Sequence, residues 1–421
     1  MDPIGAIADA ARQDWPGMLG ISVAIVTLFG SGEALRRLLN VPVEYTRKLA
    51  HLGGGAVVMA VPWVLSGHWS VLVLCLAFLG VLVGGRISGQ LGSVHAVDRT
   101  TGGAYFYPFA VYGTYWLAEG DPLLFCVPLA VMAVADTGAA IVGKRAGETR
   151  FRVMDGVRSL EGSATFWAIA FAIFLGGLAL DGRGGWPGVL LVALVGATLT
   201  TCIEAISVRG ADNLFIPYGA YVVLDRTLRL GLEEMGDWIV GMLVGLVAVV
   251  AAWGRARLMP AGAVAGFLFG TLAWAIGGPA WFWPLAALVA VLVLARPRAE
   301  EADLEQVFPT LVGSIVVLLA FAHEGGDWYP PFLAASAANG ANALALVGEG
   351  RWWVPAAGLV GAMVPVAAGR LLDEDVPVAL LVAAGLAGLC LYAAMRKGPI
   401  PGRRLVASAC AGLVIWGMMR A

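Results

Sequence analysis

Four polar patches in a very apolar chain carry the residue types that phosphate chemistry needs. Arg47-Lys48-Leu49-Ala50-His51 sets two cations and an imidazole close together. Asp136-Thr137-Gly138 puts a carboxylate inside the apolar run 127–142, where an ionisable group is costly unless paired, hydrated or metal-bound. From Lys144 to Ser163 come Lys144, Arg145, Arg150, Arg152 and Arg158, then Ser159 and Glu161; Asp212-Asn213 follows a later apolar run. Arg grips phosphate oxygens through paired N–H bonds, and Lys acts as a point charge. A carboxylate such as Asp136 offers the hard oxygen that Mg²⁺ takes, with phosphate oxygens completing the shell. His51 can be a base, a phosphate donor or a capped interfacial histidine.

Each patch also has a plainer reading. Arg47 and Lys48 can anchor a helix at a membrane surface. Asp136 can be a structural carboxylate bonded to a neighbouring helix. The 144–158 stretch can be a solvated loop, Ser159 and Glu161 can start and cap a helix, and Asp212-Asn213 can be an Asx turn. What sets the patches apart is that they fall on one side of the same set of apolar segments.

Those segments are the elements that must position them. The chain has 421 residues, 59% of them hydrophobic and 13% charged, with a mean hydropathy of +0.82. Soluble proteins carry about 25% charged residues, so this pattern predicts an all-α, polytopic transmembrane helical bundle. A crossing needs about 20 apolar residues. Spans are read at 15–34, 52–66, 69–85, 104–118, 122–143, 163–180, 187–206, 214–224, 238–253, 261–277, 281–295, 306–322, 330–347, 354–370, 376–394 and 404–419. Several are short for a full crossing, so the expected total is roughly 14–16, and 214–224 is open to a re-entrant reading. The 57 glycines suit close helix packing in lipid. The five cysteines all lie in apolar runs without a C-x-x-C pair, which reads as buried thiols. A net charge of -2 argues against a nucleic-acid partner, and the N-terminus lacks the basic region of a cleaved signal peptide.

Basic residues set the orientation. Arg36, Arg37, Arg47, Lys48, the 144–158 cluster, Arg255, Arg257, Arg296, Arg298, Arg396, Lys397, Arg403 and Arg404 fall on one side if spans alternate. That side is the cytoplasm, which places the patches at the inner face of a plasma-type membrane. Arg226 and Arg229 are the exception. A boundary at Gly254-Arg255-Ala256-Arg257 divides a charge-bearing first domain, 1–254, from a cleaner second one, 255–421.

Residues 47–217 resemble the polyprenol kinase family, which includes phytol kinase and dolichol kinase. The matching elements are Arg47-Lys48-x-x-His51, Asp136-Thr137-Gly138-Ala139, Gly143-Lys144-x-x-Gly147, Arg158-Ser159-x-Glu161-Gly162-Ser163 and Asp212-Asn213-Leu214-x-Ile216-Pro217. The family typically carries Lys where this chain has Arg158. The resemblance implies phosphoryl transfer from a nucleotide, typically CTP, to a long-chain isoprenoid alcohol, with Mg²⁺ as cofactor. It implies Asp136, His51 and Glu161 as catalytic residues, and Arg47, Lys48, Lys144, Arg158, Ser159 and Asn213 as nucleotide and phosphate contacts. Asp136 and Asp212 are then the metal carboxylates. Residues 255–370 more weakly resemble a second membrane family, one that includes the plant phytyl-phosphate kinase. That likeness rests on Pro260-Ala261-Gly262-Ala263, Phe269-Gly270-Thr271, Glu305-Gln306-Val307 and the Ala-rich run from Ser336 to Ala345, where Asn339 and Asn342 stand in place of acids. It implies a fusion with a second lipid-phosphate kinase half, either catalytic or degenerate and lipid-holding.

Two other classes fit part of the pattern. A CTP-dependent kinase or cytidylyltransferase on another lipid such as diacylglycerol would use the same groups. A transporter would use Asp136 as a coupling-ion site, although such sites lie near the midplane.

Overall fold

The computed structural model describes residues 3–87, 103–153, 156–207, 210–256 and 260–295, together with Tyr329, Phe332, Leu333 and Ser336. Two compact units divide the chain, Met1–Met235 and Gly236–Ala421.

The first unit is a helical bundle. Its helices are α1 (Pro3–Leu39), α2 (Val43–Met59), the short α3 (Val61–Val64), α4 (His68–Ile87), α5 (Gly103–Ala118), α6 (Pro122–Ala146), α7 (Leu160–Asp181), α8 (Trp186–Ile206) and α9 (Asp212–Leu228). A ninth long helix, α10 (Leu232–Ala256), begins in this unit and runs into the second. Among the described residues six helices are long and apolar enough to cross a membrane: Ile7–Leu39, His68–Ile87, Pro122–Ala146, Leu160–Asp181, Trp186–Ile206 and Pro260–Gly277. The protein is an integral membrane protein built almost wholly of helix. Its outer surface agrees, since Val26 and Leu180 are 70% and 91% exposed on apolar helices, as lipid-facing side chains are.

The helix ends follow from local chemistry. Asp121 caps α6, accepting from the Leu123 and Leu124 N–H groups at 2.9 and 3.2 Å with Pro122 in the first turn. Ser159 caps α7 by accepting from Gly162 N–H at 3.1 Å. Gly182, at φ 77°, closes α7 in the left-handed conformation that glycine tolerates. Inside the bundle Phe125, Phe166, Phe174, Met132, Leu199 and Ile216 are wholly enclosed. Gly196 of α8 makes room for the Phe174 ring, which a Cβ there would meet at 2.8 Å.

The structure departs from the sequence reading at three places in this unit. The second span begins at Val43, directly after Pro42, and not at 52. Its charged first turns fail a hydropathy criterion yet remain helical, because Glu, Arg, Lys and Leu are good helix formers. The 144–158 stretch is not a plain loop: β1 (Arg150–Val153) and β2 (Gly156–Ser159) form an antiparallel hairpin, pairing Arg150 with Ser159 and Phe151 with Arg158. Finally, 214–224 belongs to one uninterrupted helix, α9, about 25 Å long by helical rise. It holds no re-entrant turn.

In the second unit α11 (Pro260–Gly277) packs on α12 (Pro279–Ala295). Ala261, Ala263 and Phe269, from the stretches singled out above, are buried on α11. Trp281 stacks on Phe332 at 4.4 Å, and the Tyr329 hydroxyl donates to the Ala280 carbonyl at 3.2 Å. Glu305-Gln306-Val307, Asn339 and Asn342 lie outside the described residues, as do the spans read from 306 onward apart from Phe332, Leu333 and Ser336.

Candidate active site

The centre of the site is a carboxylate held between two basic side chains. Asp136 Oδ2 lies 3.6 Å from Lys48 Nζ and 3.8 Å from His51 Nε2. All three side chains are only 14% exposed. Lys48 and His51 are three residues apart on α2, so both point to α6 from one helix face. On the other side, α6 is not regular: Val131–Ala135 form a π-helical turn immediately before Asp136. The Met132 carbonyl in that wide turn lies 3.1 Å from His51 Nε2. A carbonyl only accepts, so Nε2 is the donor in this contact and Nδ1 is the nitrogen left facing elsewhere. The π turn, which hydropathy does not register, thus orients the histidine beside the acid. Because α2 starts at Val43, Arg47 and Lys48 sit a turn or more inside the helix. The positive dipole end of α2 fades within its first turn, so it adds little to the attraction of these cations for an anion.

A second cluster is built by the hairpin and the helix ends beyond it. Arg158, on β2, pairs with Glu204 near the end of α8, lies 3.6 Å from Asp212 Oδ2 at the start of α9, and donates to the Ser207 carbonyl at 3.3 Å. Asn213 Nδ2 donates to the Gly103 carbonyl at 3.0 Å, tying α9 to the start of α5. The glycines of the motifs let these parts close up. A Cβ on Gly162 would meet Ser159 Oγ at 3.0 Å, the Ala139 carbonyl at 3.1 Å and Gly143 Cα at 3.3 Å, so α6 and α7 touch through backbone.

Both clusters line one cavity of about 820 Å³. Among the residues expected from sequence it collects Arg47, Lys48, His51, Asp136, Lys144, Arg158, Ser159, Asp212 and Asn213. Ser159 and Asn213 are there chiefly as structural ties, through the cap and the Gly103 bond. Glu161 is not among the lining residues: it turns back to accept from the Thr149 N–H at 2.9 Å, fastening the start of the hairpin to α7. Glu204, which the sequence marks only weakly as an acid ending an apolar run on the same face, also lines the cavity. It is 3% exposed, and among the described residues its second carboxylate oxygen has no hydrogen-bond partner. Its signal was a single carboxylate two residues before the end of an apolar helix. Tyr107 was missed. It lines the cavity with its ring edge-on to His51 at 5.8 Å, and among the described residues its hydroxyl has no hydrogen-bond partner.

Three carboxylates, Asp136, Glu204 and Asp212, face this cavity, Glu204 being paired with Arg158, and among the described residues no group of three or more His, Cys, Asp and Glu side chains gathers as a metal site. Mg²⁺ is commonly held by one or two carboxylates with phosphate oxygens and water in the remaining positions. The donor set therefore fits that ion in the presence of a nucleotide.

The other half of the cavity is apolar. Ile21, Ile25, Phe29, Val58, Leu74, Phe78 and Leu82 continue it between α1, α2 and α4. A carboxylate and cations at one end and hydrocarbon at the other make a site for an amphiphile meeting a polyanion. No family model and no solved structure matches the chain. A curated relative does: the chain is 31% identical over 196 residues, 46% of its own length and 83% of the relative's, to the phytol kinase of Synechocystis sp.. With that likeness over most of the relative, the chain is an integral membrane kinase that belongs to the phytol kinase family.

Proposed function

We propose that the chain transfers the terminal phosphoryl group of CTP to the hydroxyl of a long-chain isoprenoid alcohol of the phytol or polyprenol type, at the cytoplasmic face of the membrane. The observation that carries this is the single cavity whose polar end holds Asp136, Lys48, His51 and Arg158 and whose other end is hydrocarbon. Phosphoryl transfer asks mainly for positioning and for charge around the phosphates. In this reading Lys48, Arg47 and Lys144 hold phosphate oxygens, and Arg158 fixes Glu204 and Asp212 as one wall. Asp136 and Asp212 would hold Mg²⁺, which supplies charge neutralisation at the phosphates. The alcohol oxygen forms the new O–P bond, the bond from the terminal phosphorus to the bridging oxygen breaks, and the alcohol proton passes to a base. His51, its Nε2 engaged with Met132, offers Nδ1 for that role, and Asp136 offers its carboxylate.

The test is transfer from radiolabelled CTP, with ATP in parallel, to a panel of lipid alcohols by the purified protein. We expect Mg²⁺-dependent lipid monophosphate from the wild type and a loss of about a hundredfold or more in Asp136→Ala, the scale of a positioned acid–base group. No labelled lipid with any alcohol, diacylglycerol included, would sink the kinase and bring ion-coupled transport through Asp136 forward. Lipid diphosphate appearing as a second product would assign catalysis to residues 255–421.

A further inference from the structure

The cavity lining ends among nearly buried valines. Along α2 and α3 its lining runs from Lys48 to Val61, and along α4 it runs from Arg86 back to Val71. Fifteen residues of helix rise about 22 Å, so the pocket reaches about 20 Å below its polar end. Val61 and Val71 stand at that depth, 3% and 1% exposed, with Val58, 6% exposed, a turn above them. Their branched side chains are stiff at the first torsion and yield little to a ligand.

The chain behind these valines is clamped. The Asp14 carboxylate on α1 accepts from the Ser66 N–H at 3.0 Å and from its hydroxyl at 2.8 Å. The Tyr115 hydroxyl on α5 donates to the Leu65 carbonyl at 3.3 Å. Gly17 packs so closely on the Val64 carbonyl that a Cβ would collide with it. The turn between α3 and α4 is thus fastened to α1 and α5, and the floor it carries cannot recede without breaking buried polar bonds.

We infer that this floor is a ruler: Val58, Val61 and Val71 set the longest alcohol tail that the cavity seats in full. The inference rests on the lipid-alcohol kinase reading above and adds a determinant of chain length to it. A tail that ends at the valines buries its whole length, while a shorter one leaves hydrocarbon wall uncovered. A longer tail has to fold back or pass out between helices.

The decisive experiment uses the wild-type protein in nanodiscs and prenyl alcohols of two and of four isoprene units, each with a diazirine at the terminal carbon. After irradiation the labelled peptides are identified by mass spectrometry. The four-unit probe is expected to label the 58–71 segment and the two-unit probe the α4 segment nearer the polar end, around Phe78 and Leu82. Four-unit label on the outward residues Leu19, Val23 or Leu76 would overturn the ruler, because the tail would then leave the cavity sideways. A variant gives an independent reading. Val71→Trp should lower kcat/KM for the four-unit alcohol by about tenfold or more, the discrimination a hydrophobic pocket imposes on a group that it cannot seat, and leave the two-unit alcohol unchanged. An unchanged length profile in that variant overturns the proposal, and cross-linking of the wild type decides alone if Val71→Trp does not fold. Transfer by the wild type with label outside 58–71 sinks the ruler only, whereas no transfer to any alcohol sinks the kinase.

Discussion

The resemblance leads to an expectation of lysine where this chain has Arg158, and the surroundings of that residue suit an arginine. Its guanidinium meets three oxygen groups at once: Glu204, Asp212 and the Ser207 carbonyl. A planar fork with five donors can serve three acceptors in different directions, while a lysine ammonium on a single stem cannot hold the same set. Glu204 depends on it most, being 3% exposed. Removing one member of a buried pair leaves an uncompensated charge at a cost of about 3–5 kcal/mol. Arg158→Ala should therefore lower the unfolding temperature in detergent sharply, Arg158→Lys should do so less, and Arg158→Ala with Glu204→Gln should recover part of the loss. A double variant no more stable than Arg158→Ala alone would show that the pair is not what holds β2 to α8. The sequence displayed the basic residue and the acid as separate features. It did not display their pairing, because 46 residues separate them and only the return of α8 to the hairpin brings them together.

Helix positions were largely legible, because about 20 consecutive apolar residues in a chain with 13% charge have few other uses. What hydropathy misses is irregularity within a helix. The π turn at Val131–Ala135 is made of Val, Met and Ala, indistinguishable by composition from the α-helix around it, yet it presents the Met132 carbonyl to His51 just ahead of Asp136. Such turns arise by one inserted residue, and they occur often at functional sites. Deleting Val134, which is exposed on the outer face, should restore a regular helix with its flanks nearly in register. We expect folding and thermal stability to persist and phosphoryl transfer to fall, with His51 losing its carbonyl partner. Full activity in the deletion variant would mean that the π turn does not position the site. The caps are a further element-level feature. Asp121 both starts α6 and receives two bonds from Arg183, in the turn between α7 and α8, at 2.6 and 2.9 Å. The Arg183 guanidinium holds the Asp121 carboxyl below its ordinary value of 3.8. A carboxyl with a lowered value in the folded state contributes stability that is present above 3.8 and is lost as the pH falls through the lowered value. Relative to wild type, Arg183→Ala should be less stable at neutral pH, and the difference should shrink on acidification below 3.8. A difference that stays constant down through that range would detach Asp121 from the effect.

At the scale of the whole molecule, α6 and α7 carry the two chemistries to opposite ends. The Asp121–Arg183–Asp181 cluster marks one end of both helices, and Lys144, the hairpin and Ser159 mark the other. The 25 residues of α6 span about 37 Å, more than the roughly 30 Å of a bilayer's hydrocarbon core. That length suffices for a full crossing, which would put the two ends in different aqueous phases. We propose the cytoplasm for the site end, on the basic residues of the hairpin, Arg150, Arg152 and Arg158, and on the nucleotide donor of the proposed reaction. In a background lacking the native cysteines, Gly185→Cys should react with a membrane-impermeant maleimide in intact cells. Glu148→Cys, exposed just before the hairpin, should react only after permeabilisation. The reverse pattern would place the cavity outside the cell, away from CTP, and would leave the fold intact while removing the cytoplasmic kinase. Labelling of both from one side would mean that α6 and α7 do not cross at all, and the length of α6 makes that the least compatible outcome with a helix buried in lipid.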